Sequence, residues 1–297
     1  MMFKLKAFSL LFFYVFHIAS GHSFTFNNNA AAAFDKDEIT INVNDSDCAG
    51  ADSGNSNYAC NANFITPQKL LDLTEKAIDR FWNRIPTTRL NLVRGSLVSK
   101  GTTFRREQLC NESYSAGTCT PNTALKVASD ILISCNCHKN NFGDSNVGIL
   151  GVTIPNNYDG VAIKGSLILI NGRHSSFHNL TDNEKINVIG HEIGHALGLG
   201  HSPVEDSLMY YSNIGQRDHL GWDDLDGISY LYPSSQPLNL NCGTVSFKAP
   251  NDSDSSGSNS GPKNTGFFFL SFLSILFLGF LIKLISRQLF QKGQTAL

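Results

Sequence analysis

Helix-like and strand-like segments follow one another in this sequence in a pattern that predicts an α+β fold. Three stretches carry that expectation. Thr66 to Trp82 places apolar residues at helical spacing, Val147–Ile154 and Ile163–Ile170 are β-rich runs, and a capped helix opens at Thr181.

The elements follow in chain order. Lys4 and Lys6 precede an apolar run from Ala7 to Ala19 that ends in Ala19-Ser20-Gly21, the pattern of a secretory signal over residues 1–21. Residues 22–60 are rich in Asn, Ala, Ser, Asp and Gly with one strand-like piece, Ile39–Val43, and read as a loose leader. A compact domain is expected over 61–233. Thr66 is a good N-cap, Pro67 suits the first helical position, and Leu70, Leu71, Thr74, Ala77, Ile78, Phe81 and Trp82 share one face. Pro86 stops that helix and Thr88–Val93 alternates as a strand. A second helix is expected from Asn122 to Ser134. Pro155–Gly160 reads as the turn between the two β-rich runs, and Thr181 with Glu184 forms a capping box for the next helix.

Residues 234–265 turn polar and Ser/Gly/Asn-rich, as a flexible stalk. Residues 266–285 are almost all Phe, Leu and Ile, close to the ~20 a membrane-spanning helix needs. Lys283 sits near the end of that run and Arg287 and Lys292 follow it, so 286–297 is expected as a cytoplasmic tail and everything before Gly266 outside. A removable lipid-anchor signal fits less well, because such a signal ends in its apolar run. The 23 Lys and Arg against 25 Asp and Glu give a net charge of −2, which argues against nucleic acid as a partner. Seven cysteines suit an exported, disulfide-forming protein. Cys48/Cys60 and Cys110/Cys119 bracket Gly-, Ser- and Asn-rich loops and are plausible local bridges. Cys135 and Cys137 read as structural, and the odd count leaves at least one thiol over.

The chemistry concentrates at His191-Glu192-Ile193-Gly194-His195-Ala196-Leu197-Gly198-Leu199-Gly200-His201. On a helix, His191 and His195 stand four apart and project from one face, so both imidazoles reach a single ion. Gly198 can take positive φ and end the helix, and the reversing chain then brings His201 to the same ion. Three neutral histidines with an open fourth position make a catalytic zinc site, whereas a structural site is closed by a fourth protein ligand. Glu192, beside His191, is placed to act as general base on the attacking water. A lone His-x-x-x-His would be a weak signal; five specified residues over eleven positions on an independently predicted helix are not. No Ser/His/Asp set or reactive Cys competes.

This stretch resembles the extended zinc motif of the metzincin clan, and Ser207-Leu208-Met209-Tyr210 resembles its methionine turn, with Met209 as the turn residue. Ser202 after the third histidine, and Gly221 to Tyr232, resemble the matrixins. The resemblance implies a zinc endopeptidase with a twisted mixed sheet, two helices and a smaller irregular part after Gly198. It implies extracellular protein or peptide substrates, lying extended beside the edge strand around Ile149-Leu150-Gly151. It also implies that Asp223 and Asp224 brace the methionine turn and the mature N-terminus.

Three departures accompany it. Neither β-rich run carries the histidines of the family's structural zinc; His174 and His178 lie beyond them and read as loop residues. The cysteine motif that keeps matrixins latent is missing, and Ca²⁺ is possible but not indicated, with Asn156, Asn157 and Asp159 only suggestive. Tyr211, two residues beyond Met209, stands where astacins place a tyrosine that reaches the zinc or the nascent oxyanion, so it is a candidate transition-state stabiliser or simply a packed ring. The rival to an enzyme is a membrane-anchored binding or adhesion ectodomain with a retired protease fold. Such proteins usually lose the Glu or a histidine, and here all are present.

Overall fold

The computed structural model describes residues 24–27, 31–111, 119–142, 148–212 and 217–234. The expected signal, apolar C-terminal run and tail, and the expected stalk beyond Ser234, lie outside the described residues. Among those that are described, no helix is long and apolar enough to cross a membrane.

Six strands form one mixed sheet: β1 (Ala33–Phe34), β2 (Glu38–Asn44), β3 (Asn91–Val98), β4 (Asp130–Asn136), β5 (Gly151–Asp159) and β6 (Ala162–Asn171). The order runs β3-β2-β4-β6 in parallel, β1 pairs with the start of β6, and β5 lies antiparallel to β6. The three long helices are α1 (Pro67–Ala77), α2 (Asp182–Ala196) and α3 (Trp222–Leu231). Thr66 caps α1 through Lys69 N, Pro67 stands at its start, and the helix continues as a π-helical turn through Trp82. The capping box on α2 is formed in both directions between Thr181 and Glu184. Phe81, Trp82, Ile189 and Ile193 are buried in one core with the inner face of the sheet, which fixes α2 beneath the strands.

Four expectations are corrected. Residues 22–60 are not a loose leader over their described part: they supply β1 and β2, and β2 lies between β3 and β4 inside the sheet. Ile39, Ile41 and Val43 are fully buried there, enough apolar surface to order a segment whose flanks look polar. The helix expected over Asn122–Ser134 is a short 3₁₀ turn, Thr123–Leu125, followed by β4. Ile131-Leu132-Ile133 is buried on both faces of a parallel sheet, and such a run cannot be told from a buried helix by periodicity alone.

The turn expected at Pro155–Gly160 is strand as far as Asp159, and the reversal comes at Gly160, with φ +60°. Pro155 is tolerated because β5 is an edge strand, where a missing N–H costs no ladder bond. Asn156 and Asn157 hydrogen-bond Leu125 O, Val127 N and Ala128 O, so their side chains tie β5 to the neighbouring loop.

The cysteine pairing also differs. Cys110–Cys119 is formed as expected, but Cys48 joins Cys135 and Cys60 joins Cys137. The two long-range bridges fasten residues 48–60 to the end of β4, and Cys242 lies outside the described residues.

Candidate metal centre and active-site cleft

α2 delivers His191 and His195 from one face, as the four-residue spacing requires. The helix ends at Ala196, Gly198 takes φ +110°, and the chain turns back so that His201 faces the pair. The potential ligand atoms of the three histidines lie within 4.8 Å of one another. His191 Nδ1 bonds to Leu208 O at 2.7 Å and His195 Nδ1 to Leu199 O at 2.8 Å. Each of those bonds uses Nδ1 as the donor and leaves Nε2 with a free lone pair. Burial lowers the His191 imidazole to about 4, against the Leu208 carbonyl bond, and lowers His195 and His201 as well. All three rings are therefore neutral at physiological pH, the form that binds metal.

The donor set fits zinc. Two nitrogens on a tetrahedral zinc at ~2.0–2.1 Å stand about 3.3 Å apart, and His195 Nε2 lies 3.2 Å from His201 Nε2. Two neutral acceptors facing each other at that distance repel unless a cation or a proton sits between them.

The methionine turn forms the floor. Leu208 O orients His191, and Met209 O accepts from Ser202 N at 2.8 Å, so the turn holds the first and third histidine segments together. Met209 is buried below α2, where a β-carbon at Gly194 would come within 2.3 Å of its sulfur. Asp224, at the start of α3, accepts from Leu208 N, Met209 N and Gly221 N and pairs with the Ser207 hydroxyl. Burial raises its carboxyl pKa, and these bonds oppose the rise. Asp223 is 1 % exposed, and neither of its carboxylate oxygens has a hydrogen-bond partner among the described residues. Asp223 is one of the two acids that the resemblance sets to brace the methionine turn and the mature N-terminus, and the residues ahead of Phe24 lie outside the described ones.

Glu192 sits beside the histidines, buried, with its carboxyl pushed up to about 7 by burial against a bond from Thr153. A cleft of ≈ 1280 Å³ runs past it, lined on one side by Ile149 to Thr153 and on the other by the three histidines, Tyr211 and Ser212. Tyr211 is exposed, and its hydroxyl lies 3.3 Å from that of Tyr210. It therefore reaches the cleft, but no described bond joins it to the histidines.

Sequence reasoning missed the segment Phe24–Asn27. Thr25 O accepts from Gly200 N, the Thr25 hydroxyl donates to His201 O, and Asn27 Nδ2 donates to His195 O. Gly200 is required here by close approach rather than by the turn, because a β-carbon would meet Thr25 and Phe26. The alternation Phe24-Thr25-Phe26 was the available signal. Thr153 was also missed; its only mark is that it shares a strand face with Gly151.

A helix-borne pair of histidines, a third returned by glycine, an adjoining buried glutamate and a methionine turn beneath them define a metzincin-type domain. A family model described as Matrixin matches residues 17–233, well over half of the sequence, and the chain belongs to that family. It is 45% identical over 76 residues to metalloendoproteinase 2-MMP of Arabidopsis thaliana, covering 24% of this chain and 20% of that one. Over 62 residues it is 44% identical to interstitial collagenase of Sus scrofa (20% and 13% of the two chains), and over 56 residues 46% identical to stromelysin-1 of Mus musculus (17% and 12%). The matched segments span a fifth or less of these relatives' length.

Proposed function

We propose that this chain is a zinc-dependent endopeptidase acting on extracellular proteins, with His191, His195 and His201 as ligands and Glu192 as general base. The observation that carries this reading is the convergence of three neutral imidazoles, two of which, His191 and His195, already have Nδ1 tied to a backbone carbonyl. Zinc held there would supply a Lewis acid to a water molecule and to the scissile carbonyl. Glu192 takes the proton of the attacking water and passes it to the leaving amine. An extended peptide pairs with the open side of β5 near Ile149-Leu150-Gly151, the position a strand-adding ligand would take on a sheet edge. A tyrosine hydroxyl at Tyr211, directed at developing negative charge, would add stabilisation in the transition state only.

The same reading takes the protein to be exported and held at the cell surface by residues 266–285, on the strength of their composition alone. Protease added to intact cells should release the catalytic domain and protect the chain beyond Lys283; the reverse pattern would overturn that orientation.

The test of activity is hydrolysis of casein or a quenched peptide with and without a chelator. Cleavage that stops on chelation and returns with zinc supports the proposal. A protein that binds zinc but cleaves neither substrate, or that cleaves equally well when chelated, would contradict it.

A further inference from the structure

We infer that Thr153 is a positioning residue for Glu192, holding one carboxylate oxygen so that the other faces the reaction. This rests on the peptidase reading above.

Thr153 Oγ1 lies 2.6 Å from Glu192 Oε2, and the hydroxyl is the donor when the carboxylate is ionised. The two residues come from different elements, the edge strand β5 and helix α2. Thr153 is paired with Ile168 in β6, and a β-branched side chain on a paired strand is stiff at χ1. Its hydroxyl is thus fixed relative to the sheet. Glu192, by contrast, has three side-chain torsions and would lose orientation without an anchor.

Gly151 completes the arrangement. It lies two residues before Thr153, on the same face of β5. A β-carbon there would stand 2.8 Å from Glu192 Oε1 and 2.9 Å from its Cγ and Cδ. The strand therefore offers an opening at one position and a hydrogen bond at the next on that face. Glu192 occupies the opening with Oε2 tied, and Oε1 remains to take the proton from water. A base fixed this way enters the transition state already oriented, so its loss should fall on turnover and not on substrate affinity.

The test uses the full-length, zinc-loaded protein carrying Thr153→Val, which keeps the branched shape and strand preference, or Thr153→Ser, which keeps the hydroxyl. The Val variant should lose ~10-fold in kcat, the order expected for one hydrogen bond to a charged group. Its KM and zinc content should be unchanged, and the Ser variant should recover most of the rate.

A second readout needs no activity. In the metal-free protein, the ¹³C carboxyl resonance of Glu192, assigned by its loss in Glu192→Gln, should shift in the Val variant and stay in the Ser variant. Wild-type kcat in the Val variant, or a parallel fall of kcat and melting temperature in both variants, would overturn the inference. A wild-type protein that cleaves no peptide would instead refute the peptidase reading, and the resonance would then decide the Thr153 contact on its own.

Discussion

The two walls of the cleft are built by different means. The lower wall, from His191 through the methionine turn to α3, is assembled from local spacings: four residues on a helix, a glycine turn, and a carboxylate at the next helix start. The upper wall, β5 and the loops behind it, depends on pairings distant in sequence. β2 reaches β4, and disulfides of sequence separation 87 and 77 fasten residues 48–60 to the end of β4. Chemistry constrains the first wall directly, because ligands must converge to within ångströms. Apart from Gly151 and Thr153, which meet Glu192, the second is constrained by overall burial, so many sequences can build it.

Removing the disulfides should give the largest effect and fall on the upper wall alone. Cys48→Ala/Cys135→Ala and Cys60→Ala/Cys137→Ala should each lower stability by roughly 2–5 kcal/mol, as losing a native bridge typically does. Chemical denaturation measures the loss. If the distinction between walls holds, whatever fraction remains folded keeps its zinc; zinc lost in proportion to stability would break it.

Asp224→Ala should come next, acting on the floor. It leaves the N–H groups of Leu208, Met209 and Gly221 without their acceptor, and about 1–3 kcal/mol is lost where one of them stays buried and unpaired while water reaches the others. Because Leu208 O also orients His191, zinc affinity should fall with stability. An unaltered zinc affinity would show that the turn holds the ligands without its brace.

Tyr211→Phe should have the smallest effect. It removes only a hydroxyl from an exposed ring at the cleft, so stability and zinc should be unchanged. A transition-state role predicts that kcat falls at least ~10-fold at constant KM. Unchanged kcat would assign the ring to its contact with Tyr210.

The same contrast explains what could be read from the sequence. α1 and α2 announce themselves through Thr66-Pro67 and the Thr181/Glu184 box, because capping is local chemistry. His191, His195, His201, Gly198 and Met209 are legible for the same reason. β4 was not, since Ile131-Leu132-Ile133 is buried on both faces and has no period to show. Ile39–Val43 was legible as a strand, but its place inside the sheet was hidden by the polar residues around it. The partners of Cys48 and Cys60 could not be read either, because loop composition favours the near cysteine while the sheet brings the far one. Thr153 has no motif; its meaning appears only when β5 is laid over α2 and the hydroxyl meets Glu192.

Glu192→Gln tests the central claim most directly, with zinc content and peptide hydrolysis measured on the same preparation. The three histidines and their carbonyl partners are untouched by the change, so the variant should hold one zinc per chain. Hydrolysis should fall by several orders of magnitude, because the attacking water has lost its proton acceptor. A zinc-loaded variant that cleaves at near wild-type rate would contradict the assignment of Glu192 as general base.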